Sequence, residues 1–151
     1  MKILNIKIDI QKTAWISIIV LFLCLIIYLI CSNQTIHMNH HNFTTILRDS
    51  HQNMTKYIGR KVTTSGYIFR GKDFAKSNFV IARDMLISET ETNIVGFFCS
   101  YNQADDFENN IWVEATGTIV IGDYYGPIPM IQIDTIKKIT TPNDVFVSPP
   151  N

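Results

Sequence analysis

The sequence predicts an all-β domain, a barrel of five strands with a short N-terminal helix, preceded by a single transmembrane helix. Three patterns support this prediction. Residues 61–139 contain five runs of alternating apolar and polar residues, and a helical pattern occupies residues 43–58. An uncharged apolar run lies near the N-terminus. These patterns can be told apart because a strand turns successive side chains to opposite faces, whereas a helix repeats every 3.6 residues.

The apolar run predicts a membrane span at residues 13–32. Its centre, "AWISIIVLFLCLIIYLIC", carries no charge, and eighteen helical residues rise about 27 Å, close to the thickness of a hydrocarbon core. The run is longer than the core of a cleaved signal peptide, and no small-x-small cleavage site follows it. Lys2, Lys7 and Lys12 precede the span. Positive charge on that side predicts a single-pass protein of the cell membrane, with residues 1–12 in the cytoplasm and the rest extracytoplasmic.

The polar composition of residues 33–42 predicts a tether. The extracytoplasmic domain is predicted at residues 43–148. Its first element is a helix, with Asn42 placed as the N-cap and Gly59 ending the pattern. The strands are predicted at 61–69, 78–87, 94–101, 111–121 and 128–139.

The fourth predicted strand has the clearest alternation. The residues that share its inner face are Val113, Ala115, Gly117, Ile119 and Ile121. A short helix or turn separates the third strand from the fourth, and two strands contain a central glycine. This order of elements is typical of a five-stranded OB-type barrel, whereas a β-sandwich would need about seven strands.

The charge balance and the residue types limit the functions of this domain. Residues 32–151 hold 10 basic and 12 acidic residues, and this balance argues against nucleic acid as a partner. Every histidine precedes Lys56, so the barrel has no Ser-His-Asp or Cys-His arrangement. Cys99 has no neighbouring base, so we expect it to be a packed strand residue. We therefore expect a protein that is not an enzyme and holds no cofactor.

Aromatic residues supply the first candidate site. Trp112, Tyr124 and Tyr125, with Phe97 and Phe98, would form a stacking surface of the kind on which OB barrels bind single strands or sugars. The competing interpretation is that the same rings fill the barrel or fix its turns. An oligosaccharide- or nucleic-acid-binding module is thus one functional hypothesis, based on these rings alone.

Histidines and acidic residues supply the second candidate site. His37, His40 and His41 lie in the predicted tether, and imidazole suits zinc, copper or nickel. Glu89 and Glu91 lie two residues apart, on one side of an extended chain. Together these residues predict a metal-handling membrane protein as the alternative function. The competing interpretation is a solvated tether and a solvated loop.

Several motifs together resemble a known family. They are "KYIGRKVTTSGYIFR", "FVIARDMLI" and "WVEATGTIVIGDYYGPIPMIQIDTIKKI". In this order they are similar to the C-terminal OB-like domain, of unknown function, of bacterial membrane proteins described as permease subunits (YcgQ-type proteins). Arg83 lies in the second motif and completes the predicted ligand-binding set of Trp112, Tyr124 and Tyr125.

The resemblance implies an extracytoplasmic domain that works beside an integral-membrane permease. Two features depart from the family. Its members have further membrane spans, and they carry an adjacent cysteine pair where this chain reads Ser88-Glu89-Thr90-Glu91. Thiol chemistry at this loop is therefore not expected here. The function predicted from the sequence is a membrane-anchored binding or assembly subunit, accessory to a transport complex.

Overall fold

The computed structural model describes residues 10–32 and 34–150, with side chains described over 14–27 and 34–150. The chain divides into two compact units between Gln34 and Thr35. The first contains helix α1 (Ile10–Ser32), whose described side chains are all exposed. Within the described residues, no helix is long and apolar enough to cross a membrane. The predicted span 13–32 extends beyond the described side chains at both ends, and residues 1–9 of the predicted cytoplasmic segment lie outside the described residues.

The second unit is mostly β-structure. Its elements are β1 (Ile36–His37), α2 (Phe43–Gln52), α3 (Met54–Tyr57), β2 (Lys61–Phe69), β3 (Asn78–Leu86), β4 (Thr92–Ser100), a 3-10 helix (Ala104–Asp106), β5 (Trp112–Asp123), β6 (Pro127–Lys138) and β7 (Phe146–Val147). All five predicted strands and the short helix between the third and the fourth are confirmed.

The five long strands close into a barrel in the order β2-β5-β6-β4-β3, and β3 returns to β2. Closure depends on β2, which pairs with β5 over Lys61–Tyr67 and with β3 over its last three residues. Gly66 lies where the strand changes partner, and a β-carbon there would clash with the Ala82 carbonyl oxygen. Two short parallel strands flank the barrel: β1 beside β2, and β7 beside β3.

The core lies inside the barrel. The inner face of β5 is buried at Val113, Ala115, Gly117 and Ile119, as predicted. Ile121 was assigned to the same inner face, but it is not buried with the others, since its side chain is 63% exposed. Pairing between β2 and β5 stops at Thr118. From Ile121, which pairs with Pro129, β5 and β6 continue without β2 or β4 as a two-stranded hairpin, so the Ile121 side chain lies beyond the core.

The helical pattern of residues 43–58 forms two helices, because Asn53 leaves the helical conformation between α2 and α3. Asn42 stands at the N-cap position without a side-chain capping bond. Its side chain instead accepts from the Asn39 N–H at 2.8 Å and donates to the His37 carbonyl oxygen at 3.0 Å. These bonds hold the chain that leads into α2.

The segment assigned to a tether belongs to the compact unit from Thr35 onward. Ile36 and His37 pair with β2, and the Met38 N–H donates to the Thr63 carbonyl oxygen at 2.8 Å. The Met38 side chain is only 7% exposed. The folded domain therefore begins before the predicted boundary at Phe43, and residue 33 lies outside the described residues.

Candidate ligand-binding site

Two loops meet over one residue of β4. Phe97 and Cys99 point into the core, so Phe98 points to the outer face of the barrel. Phe74, from the loop between β2 and β3, packs against Phe98 edge to face with ring centroids 5.0 Å apart. Tyr124, from the turn between β5 and β6, stacks on Phe98 at 5.1 Å with 26° between the ring planes. These contacts leave Phe98 only 8% exposed.

Tyr125 extends this group toward solvent. Its ring lies 4.8 Å from that of Tyr124 and is 90% exposed. The residue adopts a φ of 55°, a left-handed conformation that is rare outside glycine, and the next residue, Gly126, has a φ of 138°. The Tyr124 N–H donates to the Gly126 carbonyl oxygen at 3.0 Å and closes the turn. The turn therefore presents a large, water-exposed ring at a backbone position of some strain.

We call Phe74, Phe98, Tyr124 and Tyr125 the aromatic cluster. Asp73 ties its two loops together, accepting from the Tyr124 hydroxyl at 2.8 Å and from the Tyr125 hydroxyl at 3.4 Å. The hydrogen bond to this carboxylate raises the pKa of Tyr124, with desolvation and the Asp73 charge acting in the same direction. Tyr124 is therefore a neutral donor at ordinary pH. The exposed carboxylate can also accept from a ligand hydroxyl.

The structure separates the predicted ligand-binding residues into two groups. Tyr124 and Tyr125 lie in the aromatic cluster. Trp112 lies elsewhere, with its ring 6.0 Å from that of Tyr67 and 5.0 Å from the Arg83 guanidinium carbon. Phe97, which was grouped with them, is a core residue that packs edge to face on Phe43. The predicted set is therefore not one surface.

Arg83 is 3% exposed and bonds to backbone. Its Nη1 donates to the Ser65 carbonyl oxygen at 3.2 Å, and its Nη2 donates to the carbonyl oxygen of Asp144. Burial lowers the pKa of Arg83, and the Asp144 carboxylate partly opposes this shift. The guanidinium occupies the place where β3 leaves β2, and it joins the C-terminal segment to the barrel. These contacts give Arg83 a structural role.

The predicted metal ligands do not converge. Among the described residues, no three histidine, cysteine, aspartate or glutamate side chains come close enough together to hold a metal ion. His40 and His41 have ring centroids 3.7 Å apart, and the His40 Nδ1 lies 3.5 Å from a carboxylate oxygen of Asp144. His37 lies in β1 with its side chain exposed.

The acidic loop is the turn of the hairpin between β3 and β4. The N–H groups of Ile87 and Ser88 both donate to the Glu91 carbonyl oxygen, at 2.9 and 3.3 Å, while Glu89 and Glu91 are exposed. Cys99 is fully buried, and desolvation raises the pKa of its thiol to about 12. The prediction that Cys99 is a packed strand residue is confirmed.

These features define the class: an OB-like, five-stranded barrel with an N-terminal helix and a group of aromatic rings on its outer face. Residues 27–149 match the family model of the DUF1980 C-terminal domain. The chain therefore belongs to the DUF1980 C-terminal domain family. No curated protein matches the chain.

Solved structures include several similar proteins. The N-terminal domain of PriB from Thermoanaerobacter tencongensis is 18% identical, with a TM-score of 0.37 over 53% of this chain and 96% of that one. The mitochondrial single-stranded DNA binding protein Rim1 from S. cerevisiae is 14% identical, with a TM-score of 0.34 over 54% and 93%. Asparaginyl-tRNA synthetase from Pyrococcus horikoshii is 15% identical, with a TM-score of 0.36 over 56% and 20%. At these values the likenesses say nothing of what this chain binds.

Sequence reasoning missed Phe74 and Asp73. Both lie in the "RGKDF" turn, where neither alternation nor a motif marks them. Their contacts with Phe98 and Tyr124 join residues far apart in the chain and exist only because the barrel closes. The available signal was the OB fold itself, whose first and fourth loops flank the ligand-binding face.

Proposed function

We propose that this chain is a non-catalytic binding subunit that captures its ligand on the aromatic cluster. The main support is the convergence of two loops over Phe98. Counted from β2, the barrel strands correspond to the five strands of an OB fold, so β4 is the third strand. OB barrels bind ligands on the face of strands two and three, between the loops that follow strands one and four. Phe74 and Tyr124 come from those two loops.

The exposed Tyr125 ring is the second support for a binding role. A large aromatic side chain held almost entirely in water contributes little to folding. On a rigid turn the same ring offers contact area at a small conformational cost, since only two side-chain torsions have to be fixed. Ligands with a ring face, such as sugars and bases, stack on such a side chain.

The binding role is tested with probes that differ only in the kind of ring they carry. The full chain, with its tyrosine rings labelled with carbon-13, is titrated with methyl β-glucoside, adenosine or p-cresol. We expect one of them to shift the ring resonances of Tyr124 and Tyr125 before those of Tyr57 and Tyr67, which lie elsewhere in the domain. If every probe leaves Tyr124 and Tyr125 unshifted, or shifts all four tyrosines equally, the aromatic cluster is not a binding site.

We further propose that residues 13–32 anchor this subunit in the membrane, with the barrel outside and a permease as its partner. The uncharged apolar run, the three preceding lysines and the resemblance to permease subunits support this arrangement. Intact cells expressing a Lys61→Cys variant are treated with a membrane-impermeant maleimide. Labelling of the intact cells is the expected result. Labelling only after lysis would place the barrel in the cytoplasm, and recovery in the soluble fraction would exclude the anchor.

A further inference from the structure

A cavity lies beside the aromatic cluster, where β4 and β6 separate. The two strands pair in parallel only at Phe98–Met130, Cys99–Ile131 and Ser100–Gln132. Beyond Ser100 the chain turns away toward the 3-10 helix, and the gap that opens has a volume of about 300 Å³. Its lining consists of Ser100, Tyr101, Asn102, Gln103, Gln132 and Ile133. We call this space the seam cavity.

The seam cavity and the aromatic cluster both adjoin the outer face of β4. Phe98 and Ser100 are alternate residues of β4, so both point to the outer face and lie roughly 7 Å apart along the strand. The loop between β2 and β3 touches both features, since Phe74 covers Phe98 and the Ser77 carbonyl oxygen accepts from the Tyr101 N–H at 2.9 Å. A ligand of several rings that lies on the cluster would therefore reach the cavity.

The chemistry of the cavity suits a neutral ligand rich in hydroxyl groups. Its six lining residues, all described, include no charged side chain. They provide a hydroxyl at Ser100 and amides at Asn102, Gln103 and Gln132, and each amide offers both donors and an acceptor. The Tyr101 hydroxyl donates to the Gln103 amide oxygen at 2.9 Å, which fixes that side chain. Within the described residues, the side-chain amides of Asn102 and Gln132 have no protein partner.

Charges around the surface also favour a neutral ligand. In and beside the two loops of the cluster, Arg70, Lys72 and Lys76 stand against Asp73 and Asp123. The Arg70 guanidinium is engaged by the carbonyl oxygens of Phe107 and Ala104. Beyond the cavity, Asp105 and Asp106 are exposed and lie two and three residues after Gln103. An anionic polymer needs a run of cations along its path, and this surface does not provide one. A charged group placed in the cavity would also lose water without gaining an opposite charge.

We infer that the ligand is a neutral oligosaccharide, with one sugar ring stacked on the aromatic cluster and a neighbouring sugar hydrogen-bonded in the seam cavity. This inference rests on the proposed binding role of the cluster and adds the ligand class and the second half of the site. A sugar presents an apolar C–H face to an aromatic ring. Its adjacent hydroxyls each donate and accept, as the amides of Asn102 and Gln132 do.

The test uses the full chain in a detergent without a sugar headgroup. Maltohexaose, cellohexaose, laminarihexaose and chitohexaose are the neutral probes, hexagalacturonate is the anionic match, and oligothymidylate is the nucleic-acid match. Saturation-transfer NMR and calorimetry measure binding at up to millimolar ligand. We expect at least one neutral probe to bind and both anionic probes to fail. No binding by any neutral probe, or tighter binding of an anionic one, overturns the inference.

Variants separate the cavity from the cluster. Gln132→Leu and Asn102→Ala should each weaken binding of the neutral probe about threefold to tenfold, the effect of losing one neutral hydrogen bond. Gln52→Leu, an exposed glutamine at the end of α2, is the matched control and should leave the affinity unchanged. If Tyr125→Ala weakens binding while both cavity variants bind like the wild type, the cluster remains a binding site and the seam cavity is not part of it. Circular dichroism confirms that each variant is folded.

Discussion

At the scale of single residues, the hydrogen bonds of the Arg83 guanidinium group compensate for its burial. It lies where β2 and β3 part, and two backbone carbonyl groups from different segments accept from it. Its Nε atom has no hydrogen-bond partner within the described residues, and the Trp112 ring centroid lies 5.0 Å from the guanidinium carbon. The planar fork of arginine reaches both carbonyl groups at once, whereas the point charge of lysine cannot.

We therefore expect Arg83→Lys to destabilise the domain by about 1–3 kcal/mol, the cost of leaving buried polar groups unpaired. Denaturant unfolding measures the loss, and hydrogen exchange should show faster opening of residues 144–148 than of the barrel. Arg60→Lys is the control and should change stability little, because Arg60 is only half-buried. Equal stability of Arg83→Lys and wild type would contradict the structural role.

Gly117 marks a close approach between two strands. A β-carbon there would clash with the Gln132 carbonyl oxygen and come within 2.8 Å of the Ile131 Cγ2 atom. Gly117→Val should overpack the core and lower the free energy of unfolding by roughly 1–3 kcal/mol. Thr118→Val adds the same side chain on the outer face and should have a much smaller effect. An unchanged melting temperature for Gly117→Val would mean that β5 has a different register.

At the scale of elements, Asp49 joins α2 to α3 across the break at Asn53. Its carboxylate accepts from Lys56 at 2.6 Å, from the Tyr57 hydroxyl at 2.6 Å and from the Asn53 side chain at 2.5 Å. The hydrogen bond from Lys56, followed by those from Tyr57 and Asn53, holds the pKa of Asp49 well below its usual range. The two helices are thus held at a fixed angle by a charged acceptor.

This pKa shift predicts a loss of stability in acid. Because folding lowers the pKa of Asp49, its contribution is complete above the unfolded-state pKa of about 3.9 and declines as the pH falls toward the folded-state value. Asp49→Asn should therefore be less stable than wild type at neutral pH, with a difference that shrinks below about pH 4. Denaturation at both pH values measures this change. Asp134→Asn, at the exposed pair with Lys61, is the control, and equal pH dependence of both variants would refute the prediction.

The elements that the sequence predicted are those with a long periodic pattern. Each of the five strands carries enough alternating residues to mark its faces. Strands β1 and β7 have two residues each, too few to show any period. The burial of Arg83 could not be predicted either, because an apolar–polar alternation assigns every charged residue to the exposed face. Contacts between distant loops, such as Phe74 with Tyr124, require the closed barrel first.

At the scale of the whole molecule, the folded domain begins at Thr35, whereas the sequence predicted that it begins at Phe43. Residues 35–42 add the pairing of β1, the buried Met38 side chain and the contact of His40 with Asp144. We expect a fragment of residues 35–151 to unfold cooperatively and a fragment of residues 43–151 to be less stable by about 1.5–3 kcal/mol, the value of one buried methionine. Thermal unfolding followed by circular dichroism compares them. Equal melting temperatures of the two fragments would mean that residues 35–42 are a tether and not part of the folded domain.

The central claim is that the aromatic cluster binds a ligand, and Tyr125 tests it most directly. Its ring is almost fully exposed, so Tyr125→Ala should leave the fold intact. Calorimetric titration of the best-binding neutral oligosaccharide compares the full-length wild type, Tyr125→Ala and Phe146→Ala, a matched exposed aromatic residue on β7. We predict about a tenfold loss of affinity for Tyr125→Ala, consistent with about 1–3 kcal/mol for one stacked ring, and none for Phe146→Ala. Equal affinities for all three proteins would contradict the claim.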